Sequence, residues 1–232
     1  MSTLVSTLTL DNFETLPIHD RKCVFWTMDP AAVESSKGFA DPEFEKEAWL
    51  SMVMLEWGPC GQVAVRDGVP VGCALYAPPD VVPRVASFPT GPVSHDAVLL
   101  TSVRAAAGAD DPASLHTSLL QAVVRDLVNR GVRALEAFGV RLTEDETDAR
   151  FAAPTSPRDA PCSDGTCMVE SDFLEKFGFE IVAPHHRFPR LRLELDRDHG
   201  WKEDVEAALE RLLAAAELTV TEADARVPVG AR

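Results

Sequence analysis

Apolar residues recur at helical spacing in several parts of the chain. The first such stretch, residues 44–57, follows Asp41 and Pro42, which are typical of a helix N-cap and first turn. Its apolar positions at helical spacing are Phe44, Ala48, Met52 and Leu55, with Trp49 and Val53 beside them. A second stretch runs from Pro112 to Asn129 and a third from Ser171 to Phe177, and a glycine, the usual helix terminator, closely follows each. We predict three helices from this pattern.

Short apolar and β-branched runs lie between these helices. Two of them flank Asp67-Gly68, a dipeptide that favours a tight hairpin turn. We predict strands at residues 21–26, 62–65, 71–76, 97–103, 132–138, 179–182 and 191–195. Strand, helix and strand follow one another between residues 97 and 138, which is the pattern of a parallel crossover. The order therefore predicts a mixed α/β fold, with a mostly antiparallel sheet and one parallel crossover.

The two ends and one internal segment depart from this pattern. Residues 1–17 are polar and aperiodic, which fits either a loose lead-in or a strand that joins a sheet edge. Residues 140–169 are acidic and then rich in Pro, Ser and Ala, and we predict a flexible loop there. Residues 197–232 contain an amphipathic helix and a polar tail, so the main domain spans residues 18–196. The final helix either packs on its own domain or pairs with a second copy in a homodimer.

Charge and cysteine content limit the functional classes. The chain has 37 acidic and 22 basic residues, a net charge of −15 that repels nucleic acid and anionic lipid. This negative field attracts an amine or another cation. A need for solubility alone also explains the charge. No apolar run approaches the roughly 18 residues of a membrane span, and the N-terminus lacks the features of a secretory signal. Five mostly scattered cysteines fit a reducing compartment, so we expect a cytoplasmic protein.

Three stretches, in this order, resemble the GCN5-related N-acetyltransferase (GNAT) superfamily. They are GQVAVRDGVPVGCALYAP, the strand–helix–strand segment that begins at Ala97, and SDFLEKFGFEIV. The last is close to a short helix and strand in which that family often has a Tyr, a Lys and Gly-Phe. The resemblance covers roughly residues 18–196. It implies an acyl-CoA-dependent N-acyltransferase that moves an acetyl group from acetyl-CoA to an amine of a small molecule or a protein.

The resemblance also implies where acetyl-CoA would bind. In that superfamily the pantetheine arm pairs with the backbone of the fourth strand, which implies contacts at Val103 and Ala105 in this chain. The pyrophosphate binds backbone N–H groups at the start of the next helix, where the helix dipole favours anions. The implied phosphate contacts are Ser114, Leu115, His116, Thr117 and Ser118.

The phosphate-binding loop departs from the family's pattern. The family has a basic residue and then three small residues, and this chain has Asp111 and then Pro112, Ser114 and His116. Pro112 has no N–H to donate, and Asp111 is a good N-cap that places negative charge where phosphates would bind. The alternative is therefore an ordinary capped helix that binds no phosphate.

Each candidate residue for the chemistry also has a structural explanation. The family's tyrosine, which protonates the leaving thiolate, is replaced by Leu174. Glu136 on the fifth strand is a candidate base, unless it lies on a solvated face. Ser171 starts the short helix near the expected thiol, or it only caps that helix. Cys167 precedes the same helix, whose dipole would lower the pKa of a thiol.

Cys162 and Cys167 form a further motif, with four residues between them. They fit a reversible disulfide, a metal site completed by His185 and His186, or two reduced thiols, and we predict no metal. Three functions remain: an N-acyltransferase, which the resemblance favours, a non-catalytic binding or regulatory protein of the same fold, and a thiol redox sensor.

Overall fold

A computed structural model describes residues 3–30, 41–106, 109, 111–143 and 162–195. These residues form an eight-stranded sheet with helices packed on both faces. The strands are β1 Thr3–Thr7, β2 Gly61–Arg66, β3 Val69–Ala77, β4 Ala97–Ala105, β5 Ala134–Val140, β6 Val169–Glu170, β7 Glu180–Ala183 and β8 Arg190–Glu194. The α-helices are α1 Ile18–Lys22, α2 Pro42–Glu56, α3 Pro112–Asn129, α4 Asp164–Cys167 and α5 Ser171–Phe177.

The sheet has the order β1-β2-β3-β4-β5-β8-β7, and the short strand β6 also pairs with β5. β4 and β5 run parallel on either side of the α3 crossover, and β5–β6 is the other parallel pair. The remaining pairs in this order are antiparallel. The mixed α/β fold with one strand–helix–strand crossover is therefore confirmed. Residues 3–7 form an edge strand against β2, the second of the two alternatives for the N-terminal segment.

Local sequence signals fixed most of these elements. The Asp41 carboxylate accepts a hydrogen bond from the N–H of Glu43 at 3.0 Å, so it caps α2 as predicted. The bounds of α3 and α5 agree with the predicted ones. Asp67 and Gly68 have φ values of 51° and 80° in the turn between β2 and β3, a left-handed conformation that glycine adopts without strain.

The apolar positions predicted for α2 are only partly buried. Phe44 is 64% exposed and Leu55 is 83% exposed, although both belong to the periodic stripe. The helix buries the face that contains Trp49 and Val53, which lie beside that stripe, together with Leu50. The two faces carry similar apolar content, so contact with the sheet decided between them.

The predicted strand at residues 21–26 was also wrong. Its first two residues belong to α1, which places Asp20 in the interior against Arg104, with Oδ1 3.0 Å from Nε. Trp26 is buried because its indole packs into the core while its N–H donates to the carbonyl of Cys167 at 3.1 Å. The apolar run therefore fills the core from an irregular segment.

Other predictions fall outside the described residues. These are the C-terminal amphipathic helix from Trp201 to Leu218, the rest of residues 197–232, and most of the predicted loop at residues 140–169. Within the described part of the chain, no helix is long and apolar enough to cross a membrane.

Candidate functional site

The sheet opens between its two central parallel strands. β4 and β5 pair only from Ala97–Ala134 to Leu99–Glu136, and both strands continue for several residues beyond that point. At the same place Thr101 is an extra residue in the register of β4 against β3, because Leu75 faces Ser102 and Tyr76 faces Leu100. Such a bulge bends a strand. We call the resulting gap between the later halves of β4 and β5 the notch.

A short segment of the chain, β6, occupies the notch. β6 pairs with β5 through Gly139–Val169 and Val140–Glu170. The opposite edge of β5 is already used, because the N–H of Gly139 donates to the carbonyl of Pro189 at 2.9 Å in the segment that leads into β8. β6 therefore lies on the side of β5 that faces the notch, and it is also close to β4.

Ser171, a predicted catalytic residue, packs against Gly139 of β5. A Cβ atom on Gly139 would lie 2.5 Å from the Ser171 Oγ, so the absence of a side chain at Gly139 permits this close approach. Ser171 is fully buried, and its hydroxyl has no hydrogen-bond partner among the described residues. The Ser171 hydroxyl is therefore packed against β5, and no described side chain is placed to act as its base.

The predicted pantetheine contacts lie on β4, where one amide is already bonded. The N–H of Ala106 donates to the carbonyl of Val71 in β3, so the preceding amide points toward the notch. That amide, the N–H of Ala105, donates to Nε2 of His116 at 2.9 Å. The His116 ring also meets Phe173 of α5 edge-on, with ring centroids 5.6 Å apart. Val103 is buried in the core between β4 and α3.

The start of α3 is closed by its own side chains. The Asp111 carboxylate accepts the N–H of Ser114 at 3.1 Å, as the sequence predicted for a capped helix. The hydroxyls of Thr117 and Ser118 donate to carbonyls one turn earlier in α3, at 3.0 and 2.9 Å. Leu115 is buried in the core. The predicted phosphate contacts therefore lie near the helix start, but the Ser114 N–H and the hydroxyls of Thr117 and Ser118 bond within the helix, and the His116 ring bonds to β4.

Glu136 is buried and ion-paired, so it does not have the surroundings expected of a general base. Its carboxylate accepts hydrogen bonds from Arg190, from Arg192 at 3.1 Å and from the N–H of Ser94 at 3.2 Å. Burial raises the pKa of this carboxyl, but the hydrogen bonds outweigh burial and hold the pKa below its ordinary value. The Glu136 carboxylate therefore already accepts hydrogen bonds from three groups.

Comparison with known proteins identifies the architecture. No protein-family model matches the chain, and no curated protein matches it with significance. Solved structures do match. An N-acetyltransferase from Staphylococcus aureus Mu50 aligns with a TM-score of 0.50 at 15% identity, over 84% of this chain and 100% of that one. The chain has the GNAT fold.

Two other solved structures give similar values. The PaiA N-acetyltransferase from Thermoplasma acidophilum, in complex with coenzyme A, aligns over 84% of this chain with 12% identity and a TM-score of 0.48. A ribosomal-protein-alanine N-acetyltransferase from Brucella melitensis aligns over 82% with 18% identity and a TM-score of 0.47. The Staphylococcus aureus Mu50 alignment confirms the GNAT fold predicted from the sequence, and at 15% identity it establishes the fold alone.

Within the GNAT fold, the position of the family's tyrosine is apolar. Leu174 is fully buried in α5. The single tyrosine of the chain, Tyr76, lies on β3 and donates its hydroxyl to the Asp126 carboxylate at 2.8 Å. Burial, as the largest cause, raises the pKa of this phenol well above its ordinary value. Tyr76 therefore does not take the place of the family's tyrosine as the acid that protonates the leaving thiolate.

The described part of the GNAT fold also contains a cluster that the sequence did not reveal. His19, Cys23, Cys162 and Cys167 bring their ring nitrogen and three sulfur atoms within 4.8 Å of one another. We call these four residues the thiol cluster. His185 and His186, which the sequence offered as partners for the two later cysteines, do not belong to it; their rings contact each other with centroids 4.2 Å apart and planes tilted by 35°. The missed signal was the pair His19 and Cys23, spaced by one helical turn.

Proposed function

We propose that this chain is a non-catalytic protein of the GNAT fold, a binding or regulatory protein that has lost acetyl-CoA binding. The observation that carries the proposal is the hydrogen bond from the N–H of Ala105 to Nε2 of His116. It occupies a backbone amide of β4 that would face pantetheine. It also places an imidazole at a loop position where the family has a small residue, so one side chain obstructs both halves of the cofactor site.

Two further contacts support the proposal. Asp111 satisfies the N–H of Ser114 and places a carboxylate where a pyrophosphate would need positive charge. β6 pairs with β5 in the notch, between the strands where pantetheine would lie. Each contact would have to break, at a cost in free energy, before acetyl-CoA could bind.

A second candidate function is the acyl-CoA-dependent N-acyltransferase that the sequence resemblance favoured. The observation in its favour is the notch, because β4 and β5 still separate beyond Leu99 and the bulge at Thr101 still bends β4. Its co-substrate would be acetyl-CoA and its acceptor an amine of a small molecule or protein, which the net charge of −15 would attract. The expected absence of nucleic-acid and membrane partners, the cytoplasmic location and a homodimer stay predictions.

Thermal unfolding with acetyl-CoA separates the two functions. A ligand present at 100 times its Kd stabilises the folded state by about 2.7 kcal/mol, which raises Tm by roughly 5–11 °C in a chain of this size. We expect no rise for the wild-type protein at millimolar acetyl-CoA, with coenzyme A giving the same result. A rise of several degrees that depends on ligand concentration would overturn the non-catalytic proposal and favour the acyltransferase.

A further inference from the structure

We propose that the thiol cluster is a structural zinc site with His19, Cys23, Cys162 and Cys167 as its four ligands. His19 lies on α1 and Cys23 directly follows that helix, while Cys162 precedes α4 and Cys167 ends it. Two distant parts of the chain therefore each contribute two ligands. This proposal replaces the expectation of no metal, and it does not depend on whether the notch binds acetyl-CoA.

Three distances within the thiol cluster fit tetrahedral coordination. With Zn–S of about 2.3 Å and Zn–N of about 2.0–2.1 Å, tetrahedral geometry separates two sulfurs by about 3.8 Å and a sulfur from a nitrogen by about 3.6 Å. The Cys23 sulfur is 3.6 Å from the sulfurs of Cys162 and Cys167. Nε2 of His19 is 3.6 Å from the Cys167 sulfur. A disulfide requires about 2.05 Å, so these sulfurs are not bonded to one another.

The chemistry and spacing of the ligands favour zinc in a structural role. Three thiolates and one imidazole are a common ligand set of structural zinc, which closes all four positions. Three residues separate His19 from Cys23 and four separate Cys162 from Cys167, within the usual range for such pairs. Three thiolates and Zn²⁺ leave one negative charge. Arg104, which is paired with Asp20, donates to the carbonyl of Thr166 next to the Cys167 ligand.

The surroundings support ordered ligands and access from solvent. Cys23 and Cys167 are 8% and 2% exposed, so they form the inner side of the thiol cluster. The Thr166 hydroxyl lies 3.5 Å from the Cys167 sulfur, and the Trp26 indole N–H holds the Cys167 carbonyl at 3.1 Å. Such outer contacts orient metal ligands. Cys162 is exposed, which gives a metal ion a path to the site.

The consequence of zinc binding would be a cross-link between α1 and the segment that leads into β6. Binding free energy of a structural zinc ion contributes directly to folding, because the unfolded chain has no preformed site. Removing the metal should therefore lower Tm and should increase amide hydrogen exchange in residues 162–170, more than in the α3 helix on the other side of the sheet.

Metal analysis of the full chain tests the proposal. The protein is expressed with added zinc, purified under reducing conditions without chelator, and analysed by mass spectrometry for metal. We expect about one zinc per chain in the wild type and a loss of most of it in Cys162→Ser, whose exposed position should spare the fold. The matched control is Cys60→Ala, a buried cysteine outside the cluster, which should retain about one zinc.

Cobalt gives a readout that does not depend on a variant folding. Adding Co²⁺ to the reduced, metal-free wild-type chain should produce thiolate-to-cobalt charge transfer in the near ultraviolet and the intense visible bands of tetrahedral cobalt. A wild-type protein without zinc and without this spectrum would overturn the proposal. So would full zinc retention in Cys162→Ser. A disulfide among Cys23, Cys162 and Cys167 that forms under mild oxidation even when zinc is supplied before the oxidant would favour the redox sensor instead.

Discussion

Replacement of Asp111 by alanine tests whether the start of α3 is closed by its own carboxylate. Asp111 caps the helix through one hydrogen bond of 3.1 Å to the N–H of Ser114, and Pro112 follows it as the first helical residue. Loss of an N-cap carboxylate costs roughly 0.5–2 kcal/mol, typically about 1 kcal/mol, including its interaction with the helix dipole. In a chain of this length, about 1 kcal/mol corresponds to a fall in Tm of roughly 2–4 °C.

The assay is thermal and urea unfolding of Asp111→Ala beside the wild type. The matched control is Ser118→Ala on the same helix, whose exposed hydroxyl donates only to a carbonyl of its own helix. We expect the control to remain within about 0.5 kcal/mol of the wild type. Equal stability of Asp111→Ala and the control would refute the reasoning, since the carboxylate would then not be capping α3.

The same variant also separates the two candidate functions. If the chain is non-catalytic, Asp111→Ala should stay unresponsive to acetyl-CoA, because His116 and β6 still occupy the notch. If the chain is an acyltransferase, removing this carboxylate should strengthen acetyl-CoA binding, because it frees an N–H group and removes like charge. The response of Tm to acetyl-CoA in variant and wild type is the measurement.

Two further predictions concern the sheet around the notch. Gly139→Ala should destabilise the fold by about 1–3 kcal/mol, because its Cβ would lie 2.5 Å from the Ser171 Oγ; in the control Gly165→Ala the nearest atom is 3.6 Å away, and equal denaturation midpoints would count against the close packing. Glu136→Gln should cost about 3–5 kcal/mol at neutral pH, because it removes the buried carboxylate that pairs with Arg190, whose side chain is only 13% exposed. The folded-state pKa of Glu136 is lowered, so this stabilisation is present above the ordinary carboxyl pKa and is lost as pH falls through the folded-state value. Urea unfolding from pH 7 to pH 3 should show the two proteins converging in acid, and a constant difference would contradict it.

Elements whose signals are local were predictable from the sequence. Asp111-Pro112 at one end and Gly131 after the other fixed α3, and Gly178, with φ of 114°, fixed the end of α5. The periodicity of α2 fixed its bounds but not its buried face, because two stripes of similar apolar content compete and only the sheet distinguishes them. The strand prediction for residues 21–26 was wrong for a related reason, because a buried irregular segment has the same apolar run as a strand.

Contacts between distant parts of the chain were not predictable. The resemblance to the GNAT superfamily placed Ala105 beside the cofactor, and the structure puts its amide on the notch side of β4. Nothing local indicated that His116 would accept that amide, or that a two-residue strand would pair with β5. The thiol cluster is the extreme case, because Cys23 and Cys167 are 144 residues apart. The sequence spacing identifies each pair of ligands, but it does not show that the two pairs meet in the folded chain.

One segment links the proposed metal site with the closed notch. Residues 162–171 carry two zinc ligands, then β6, and then Ser171 against Gly139. Zinc removal should therefore loosen β6 while leaving the Asp111 cap in place, whereas Asp111→Ala should release the cap and leave β6 in place. If acetyl-CoA stabilises only the zinc-free protein, β6 is the barrier to binding. If it stabilises only Asp111→Ala, the barrier is the charge at the start of α3. If it stabilises neither, the two obstructions act together with His116, as the non-catalytic proposal requires.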